Sequence, residues 1–79
     1  MTQKIKQDIS IGKNLRKLRL KVDLTQEQVA AQLQVRGCNV SRETYSMMER
    51  GKYSIRISEL IALRQIFHAD YSDFFKDIE

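Results

Sequence analysis

The segment "LTQEQVAAQLQVRGCNVSRETYSMMERGK", residues 24–52, predicts two helices joined by a turn. Its first helix begins with a capping box, in which the side chains of Thr25 and Gln28 each bond the backbone amide of the other residue. Gly37 then marks the end of this helix, near Val35 or Arg36, because glycine readily adopts the left-handed conformation of a helix exit. We therefore place one helix before Gly37 and a second after it.

The helix after the turn begins at Ser41, a favoured N-cap residue, and ends before Gly51. Tyr45 and Met48 are three residues apart, so they share one side of the helix, which we expect to face inward. The predicted outer residues are Arg42, Glu43, Ser46, Met47 and Arg50. In the preceding helix the expected inner residues are Val29, Ala30 and Leu33.

One helix is predicted before this segment and two after it. The upstream helix carries an apolar stripe at helical spacing, which consists of Ile11, Leu15, Leu18 and Val22, with Ile5 and Ile9 as candidate extensions. Lys13, Arg16, Lys17 and Lys21 occupy its other side. Asp23 is expected to end it in a left-handed conformation.

The downstream helix is predicted from about Ile57 to Phe67, and Leu60, Leu63 and Phe67 are expected on its inner side. His68 is expected at its exit. Asp70 is expected to start a last short helix, with Asp73 in its first turn and the apolar pair Phe74 and Phe75 after it. The pattern predicts an all-α fold of five helices.

Composition agrees with a single small domain over residues 1–79. The chain is 42% hydrophobic and 30% charged, with no proline and three glycines, which favours a compact helical fold over a disordered chain. It contains one cysteine, so no internal disulfide can form. The N-terminal "MTQKIKQDIS" lacks a signal-peptide core, and no apolar run is long enough to span a membrane. We expect a cytoplasmic protein.

Catalytic and metal chemistry have little support in this sequence. One histidine and scattered carboxylates give no metal-ligand spacing, no nucleophile motif and no phosphate-binding glycine loop. Cys38 is either an inert side chain of the turn or a redox sensor, and His68 is either a helix-exit residue or a ligand or base. We favour the structural alternative for both, and expect no enzyme activity, no cofactor and no metal.

The net charge of +4 is unevenly distributed. Residues 1–24 carry seven Lys and Arg against two acids, whereas residues 51–79 carry four against five. Such asymmetry fits docking on an anionic surface such as nucleic acid. A lysine-rich side of a first helix is also commonly just solvated, so charge alone leaves both interpretations open.

Three stretches carry a family resemblance: "LRKLRLKVDLTQEQVAAQL" (15–33), "VSRETYSMMERGK" (40–52) and "ELIALRQIFHADYSDFF" (59–75). They resemble the phage-repressor and Cro type of helix-turn-helix domain, also called the xenobiotic-response-element family, over about residues 11–75. The resemblance implies a lambda-repressor-like five-helix domain that binds double-stranded DNA. It also implies that the third helix enters the major groove while the second crosses the backbone.

The family pattern assigns base contacts to one set of positions: Arg42, Glu43, Thr44, Ser46 and Met47. The residue types are suitable, because arginine pairs with guanine, glutamate accepts from cytosine N4, and threonine or methionine packs on a thymine methyl. Two alternatives remain open. Glu43 could serve only the charge preference of a helix N-terminus, and Met47 could be core filler.

The pattern assigns DNA-backbone contacts to a second set: Gln26, Ser41, Arg50, Lys52, Tyr53 and Arg56. Gln26 begins the second helix, where exposed amides attract anions. Tyr53 could instead pack on the domain. Arg19 and Glu49 match an ion pair that members of this family commonly place between the first and third helices, and we interpret both residues as structural.

The sequence departs from the common family pattern in four places. Seven residues separate Leu33 from Ser41 where two are usual, so the turn is extended by about five residues. Asp23 stands where glycine is usual, and Arg56 stands where Ser or Thr usually caps the fourth helix. Arg64 replaces a small residue, so the fourth helix either packs less closely or uses the arginine stem as cover.

The resemblance implies a homodimer, because one recognition helix reads few base pairs and such domains usually read two half-sites. Phe74 is expected in the core, while Tyr71 and Phe75 are candidates for the dimer interface. We favour a sequence-specific transcriptional regulator. The alternative is an antitoxin or other module that binds a protein partner with the same fold, disfavoured because no disordered tail follows that could wrap a toxin.

Overall fold

A computed structural model describes residues 10–77 of the chain. This range contains five helices and no strand: α1 (Gly12–Lys21), α2 (Gln26–Val35), α3 (Arg42–Glu49), α4 (Ile57–Phe67) and α5 (Tyr71–Phe74). The all-α prediction is therefore confirmed, including the bounds of α4. Ile5 and Ile9, the candidate extensions of the first stripe, lie outside the described residues.

The helix ends are formed by the residues that the sequence indicated. The Thr25 hydroxyl accepts from the Gln28 amide at 3.1 Å, and the Gln28 side chain accepts from the Thr25 amide at 2.9 Å. Ser41 caps α3 by accepting from the Thr44 amide at 3.1 Å. Asp23 follows α1 and His68 follows α4 with φ angles of 60° and 52°, the left-handed conformation expected of both.

The start of α4 is formed differently, because its N-cap residue, Arg56, has no side-chain oxygen. Glu59, three residues later, accepts from the Arg56 backbone amide at 2.9 Å instead. The carboxylate thereby satisfies the amide at the N-cap, although the N-cap side chain itself makes no such bond. The usual Ser or Thr is thus replaced by only half of a reciprocal capping pair.

The extended turn between α2 and α3 is held by hydrogen bonds at both ends. The Cys38 amide donates to the Leu33 carbonyl at 2.9 Å, and the Gln34 side chain donates to the Val40 carbonyl at 3.2 Å. Val40 is fully buried and anchors the turn in the core, while Gly37 has a φ of 84°. The additional residues therefore form an ordered projection.

The core lies where α1, α2, α3 and α4 meet, and α5 closes one end. The fully buried large side chains include Leu15, Leu33, Tyr45, Leu63 and Phe74. The Phe74 ring stacks on Phe67 with centroids 6.4 Å apart. The predictions that Tyr45, Met48 and Phe74 face inward are confirmed, and Leu18, Val22 and Leu60 pack at the margin of the core as partly buried residues.

α1 contacts α3 closely because residue 12 has no side chain. A Cβ at Gly12 would collide with the backbone carbonyl oxygen of Glu49, which cannot move without displacing the end of α3. Two residues later in α1, the Asn14 side-chain amide donates to the carbonyls of Phe74 and Lys76, both at 2.9 Å. α1 therefore fixes the position of both α3 and the C-terminal helix.

Candidate nucleic-acid interface

The two sides of α3 differ in burial and in bonding. Tyr45 and Met48 on the inner side are 0% and 1% exposed. On the outer side, Arg42, Glu43 and Arg50 are exposed and Met47 is half-buried. None of these four outer side chains is held by a hydrogen bond or ion pair to another of the residues 10–77. α3 thus presents donors, an acceptor and a thioether without internal partners.

Three other predicted contact residues lie at the edges of this outer side. Ser46 is half-buried in the middle of α3. Thr44 is also half-buried, and its hydroxyl accepts from the Ser41 hydroxyl at 3.1 Å. Because the Ser41 oxygen also caps the helix, Ser41 and Thr44 form a bonded pair at the N-terminus of α3. Their hydroxyls remain near the surface but are less free than the outer side chains.

The α3–α4 loop is positioned by the end of α3. The Lys52 amide donates to the Met47 carbonyl at 2.8 Å, and Gly51 turns the chain with a φ of 72°. The Lys52 and Arg56 side chains are exposed and lie on either side of Tyr53 in sequence. Two cationic side chains therefore lie on a loop whose first residues are hydrogen-bonded to α3.

Tyr53 packs on the protein, as the structural interpretation of this residue expected. It is half-buried, and its hydroxyl donates to the Glu59 carboxylate at 3.1 Å. Burial and the neighbouring Glu59 carboxylate raise the pKa of Tyr53, so the hydroxyl stays protonated at neutral pH. Tyr53 therefore links the loop to the first turn of α4.

Arg19 and Glu49 form the ion pair that the family pattern implied. Arg19 Nε lies 2.7 Å from Glu49 Oε2, and the two side chains are only 11% and 4% exposed. A second bond joins Arg19 Nη2 to Glu49 Oε1 at 3.2 Å, and Arg19 Nη1 donates to the Leu24 carbonyl at 3.0 Å. The pair thus joins α1, the α1–α2 loop and the end of α3.

Gln26 belongs to the same network, which the sequence did not indicate. Its side-chain amide donates to Glu49 Oε1 at 3.1 Å. An amide nitrogen carries two hydrogens, so this bond orients Gln26 and leaves one hydrogen for another acceptor. The residue predicted to bind a phosphate is therefore positioned by the structural ion pair.

The pKa of Glu49 reflects two opposing effects. Burial raises this pKa, but the hydrogen bonds from Arg19 and Gln26 and the positive charge of Arg19 together outweigh burial, so the pKa lies below its ordinary value. Nearby, burial raises the pKa of Tyr45, whose hydroxyl has no hydrogen-bond partner of good geometry among the described residues. Glu49 is consequently ionised and Tyr45 neutral at physiological pH.

Gln26 and Arg42 line one cleft, although they are 16 residues apart in the sequence. The cleft has a volume of about 470 Å³ and lies at the N-terminus of α2, between the α1–α2 loop and the first residue of α3. Exposed amides at a helix N-terminus favour an anion. The structure therefore places a predicted base-contacting residue beside a predicted phosphate-contacting one.

A second surface lies on the outward side of α4 and on α5. Tyr71 and Phe75 are 44% and 48% exposed, and the sequence did not single out Ile57 and Ile61, which are 77% and 40% exposed. We call these four residues the α4–α5 apolar surface. The signal that could have identified the isoleucines is their spacing of four residues, opposite the inner stripe of α4.

Arg64 continues this surface between α4 and α5. Its guanidinium lies over the Tyr71 ring, 5.1 Å from the centroid, which is a cation–π contact. The side chain is half-buried, so Arg64 uses its stem as cover, in line with the second of the two alternatives for this position. The contact joins α4 to Tyr71 at the start of α5.

Cys38 and His68, the candidates for redox, metal or acid–base chemistry, both lie at positions where they serve the fold. The Cys38 thiol is half-buried, 3.9 Å from the Ser58 carbonyl, and His68 occupies the exit of α4. In residues 10–77, no group of three or more His, Cys, Asp or Glu side chains is arranged to hold a metal ion. No helix of this range is both long and apolar enough to cross a membrane.

A model of the helix-turn-helix family matches residues 15–74, which is most of the chain. The chain belongs to the helix-turn-helix family. The match is to the Cro and repressor type of domain, the xenobiotic-response-element group, which agrees with the all-α fold and the order of the helices. This helix-turn-helix protein is thus a DNA-binding regulator by family. Comparisons with curated proteins and with solved structures gave no match.

Proposed function

We propose that this helix-turn-helix protein is a sequence-specific transcriptional regulator that reads the major groove with α3. The observation that supports this role is the outer side of α3. Among residues 10–77, the side chains of Arg42, Glu43, Met47 and Arg50 have no hydrogen-bond or ion-pair partner, whereas the inner side of α3 is buried in the core. Such groups match the donors, acceptors and methyl groups of base edges.

The proposed contacts divide into two classes. The base contacts are made by Arg42, Glu43, Thr44, Ser46 and Met47. The backbone contacts are made by Gln26, Ser41, Arg50, Lys52 and Arg56. Tyr53 is left out of this class because its one hydroxyl proton is donated to Glu59. The bond from Gln26 to Glu49 supports a backbone contact for Gln26, because it holds this residue in a fixed position relative to the end of α3. Phosphate contacts set the register of a protein on DNA, and base contacts supply the sequence preference.

The test is a selection of binding sites from a random duplex pool at about 0.15 M salt, where non-specific binding is weak. We expect a preferred sequence to be enriched. The Arg16→Ala variant is the control and should enrich the same sequence, because Arg16 is an exposed cationic residue of α1 that is not among the proposed DNA contacts. Failure to enrich any sequence, with only weak and salt-sensitive binding, would contradict the proposal and favour a protein partner.

We further propose that two copies bind a palindromic operator in the cytoplasm, each copy acting as one domain. When the two half-sites are one helical turn apart, the α3 helices of the two copies must lie about 34 Å from each other. The α4–α5 apolar surface supports this arrangement, because Ile57, Ile61, Tyr71 and Phe75 expose apolar area that a second copy would remove from water.

Sedimentation tests the dimer. Ile61→Glu should shift the protein toward the monomer, because it introduces a charge on the α4–α5 apolar surface, which the dimer buries. Val35→Glu is the matched control, since Val35 is a β-branched residue that is 81% exposed on α2. Equal behaviour of both variants would show that this surface does not join the two copies.

A further inference from the structure

The extended turn borders a cleft that the proposed function leaves unassigned. The cleft has a volume of about 440 Å³. The turn supplies one wall, the α3–α4 loop the other, and the first turn of α4 the floor. The lining residues are Arg36, Gly37, Cys38, Asn39, Tyr53, Arg56, Ser58 and Glu59. The usual two-residue turn could not provide that wall, so the cleft exists because of the additional residues.

The position of the cleft in the fold favours a DNA ligand. Asn39 lies two residues before Ser41, the N-cap of α3, and Tyr53 and Arg56 come from the loop that follows α3. The cleft therefore lies between residues from both ends of the proposed reading helix. Of the residues that line the cleft, Arg56 already belongs to the proposed DNA-backbone contacts.

The side chain of Asn39 is free and faces outward. It is exposed between half-buried Cys38 and buried Val40, and it makes no hydrogen bond with the other described residues. The turn around it is held by the bonds to the Leu33 and Val40 carbonyls. The backbone around Asn39 is thus held in place, and its side-chain amide has two unused donor hydrogens.

The charges around the cleft favour an anion. Arg56 is exposed at one side, and Arg36 lies at the other with its Nη1 bonded to the Gln32 side chain at 2.7 Å. The opposing charge is Glu59, which is 6% exposed and already accepts from the Tyr53 hydroxyl and the Arg56 amide. The cleft is therefore lined by two arginines and one carboxylate, and the lone pairs of that carboxylate are largely engaged.

We propose that the extended turn and the α3–α4 loop hold a DNA backbone phosphate between Asn39 and Arg56. The proposal rests on the proposed function and adds Asn39 to its contacts. It gives the lengthened turn a role, which is to extend the backbone contact beyond the loop to the residues that precede α3. A contact of this kind contributes affinity and register without sequence preference.

Charge substitutions at Asn39 test the proposal on the selected operator and on an unrelated duplex. Asn39→Lys should tighten binding to both and steepen the dependence of log K on log salt by about 0.9, the value of one neutralised phosphate. Asn39→Asp should weaken binding to both by on the order of fivefold, the effect of one unit charge about 4 Å away in water. Residue 39 is exposed and does not have a positive φ, so both variants should fold.

Gln65→Lys is the matched control, because it adds the same charge at an exposed residue of α4 that is neither a proposed DNA contact nor part of the lining of the cleft at the extended turn. It should leave the salt slope unchanged. Asn39 variants that behave like Gln65→Lys, while the wild type still selects an operator, would overturn this proposal alone. A loss confined to one sequence would also overturn it, since that is a base contact. A wild-type protein that selects no operator would instead contradict the proposed function.

Discussion

The inner side of α3 contacts the rest of the protein, whereas its outer side is open to solvent. On the inner side, Tyr45 and Met48 are buried and Glu49 is bonded to Arg19 and Gln26. On the outer side, the side chains of Arg42, Glu43 and Arg50 have no hydrogen-bond or ion-pair partner among the described residues. Substitution on the inner side should therefore cost stability, and substitution on the outer side should cost DNA binding with little effect on folding.

The largest expected effect is that of Glu49→Ala. Removal of one partner leaves the Arg19 charge buried without compensation, which costs about 3–5 kcal/mol. Chemical denaturation followed by circular dichroism measures the free energy of unfolding. Glu43→Ala on the outer side is the control and should change stability by no more than about 0.5 kcal/mol. Equal losses in both variants would abolish the distinction between the two sides.

The next effect concerns Arg42→Ala. The loss of a base contact should reduce discrimination at one operator position by about 1–3 kcal/mol, because a bidentate pairing carries that much preference. Titration against operators that differ at single positions measures it, with thermal unfolding as the check that the fold is unchanged. If every sequence lost the same affinity, Arg42 would belong with the phosphate contacts.

A smaller effect is expected of Lys52→Ala, which removes one charge from the α3–α4 loop. Binding should weaken on all duplexes, and the slope of log K against log salt should become shallower by about 0.9. Lys13→Ala removes an equal charge from the exposed side of α1 and should not change the slope. An unchanged slope in the Lys52 variant would exclude a phosphate contact at this position.

The smallest effect is a pH dependence on the inner side. Since the pKa of Glu49 is lowered in the folded protein from an ordinary value of 4.5, its contribution is present above about pH 4.5. The contribution is lost as the pH falls through the folded pKa. The stability difference between wild type and Glu49→Gln should therefore narrow in acid. A difference that stayed constant down to pH 2 would show that Glu49 does not titrate with folding.

Local structure could be predicted from the sequence because it depends on neighbouring residues. The capping box of Thr25 and Gln28 and the inward pair of Tyr45 and Met48 were confirmed. The left-handed exits at Asp23 and His68 were confirmed as well. Each depends on side chains within four residues, where spacing alone decides which groups meet.

The arrangement of the candidate site needed the three-dimensional structure. The family resemblance implies a phosphate contact for Gln26, and its place at a helix start agrees with this, but its bond to Glu49 joins residues 23 positions apart. The exposure of Ile57 and Ile61 likewise depends on which side of α4 packs inward. Periodicity identifies an apolar position, but burial depends on the neighbouring helices.

The sequence by itself determined the helices of this protein, most of their ends, their inner sides and the resemblance to the helix-turn-helix family. Only the tertiary structure decided that the buried ion pair orients Gln26, and that the extended turn lies against the α3–α4 loop to form a cleft. The physical reason is the range of the interactions. Caps and helix periodicity act within a few residues, whereas a buried charge pair or a cleft depends on where distant helices are fixed by core packing.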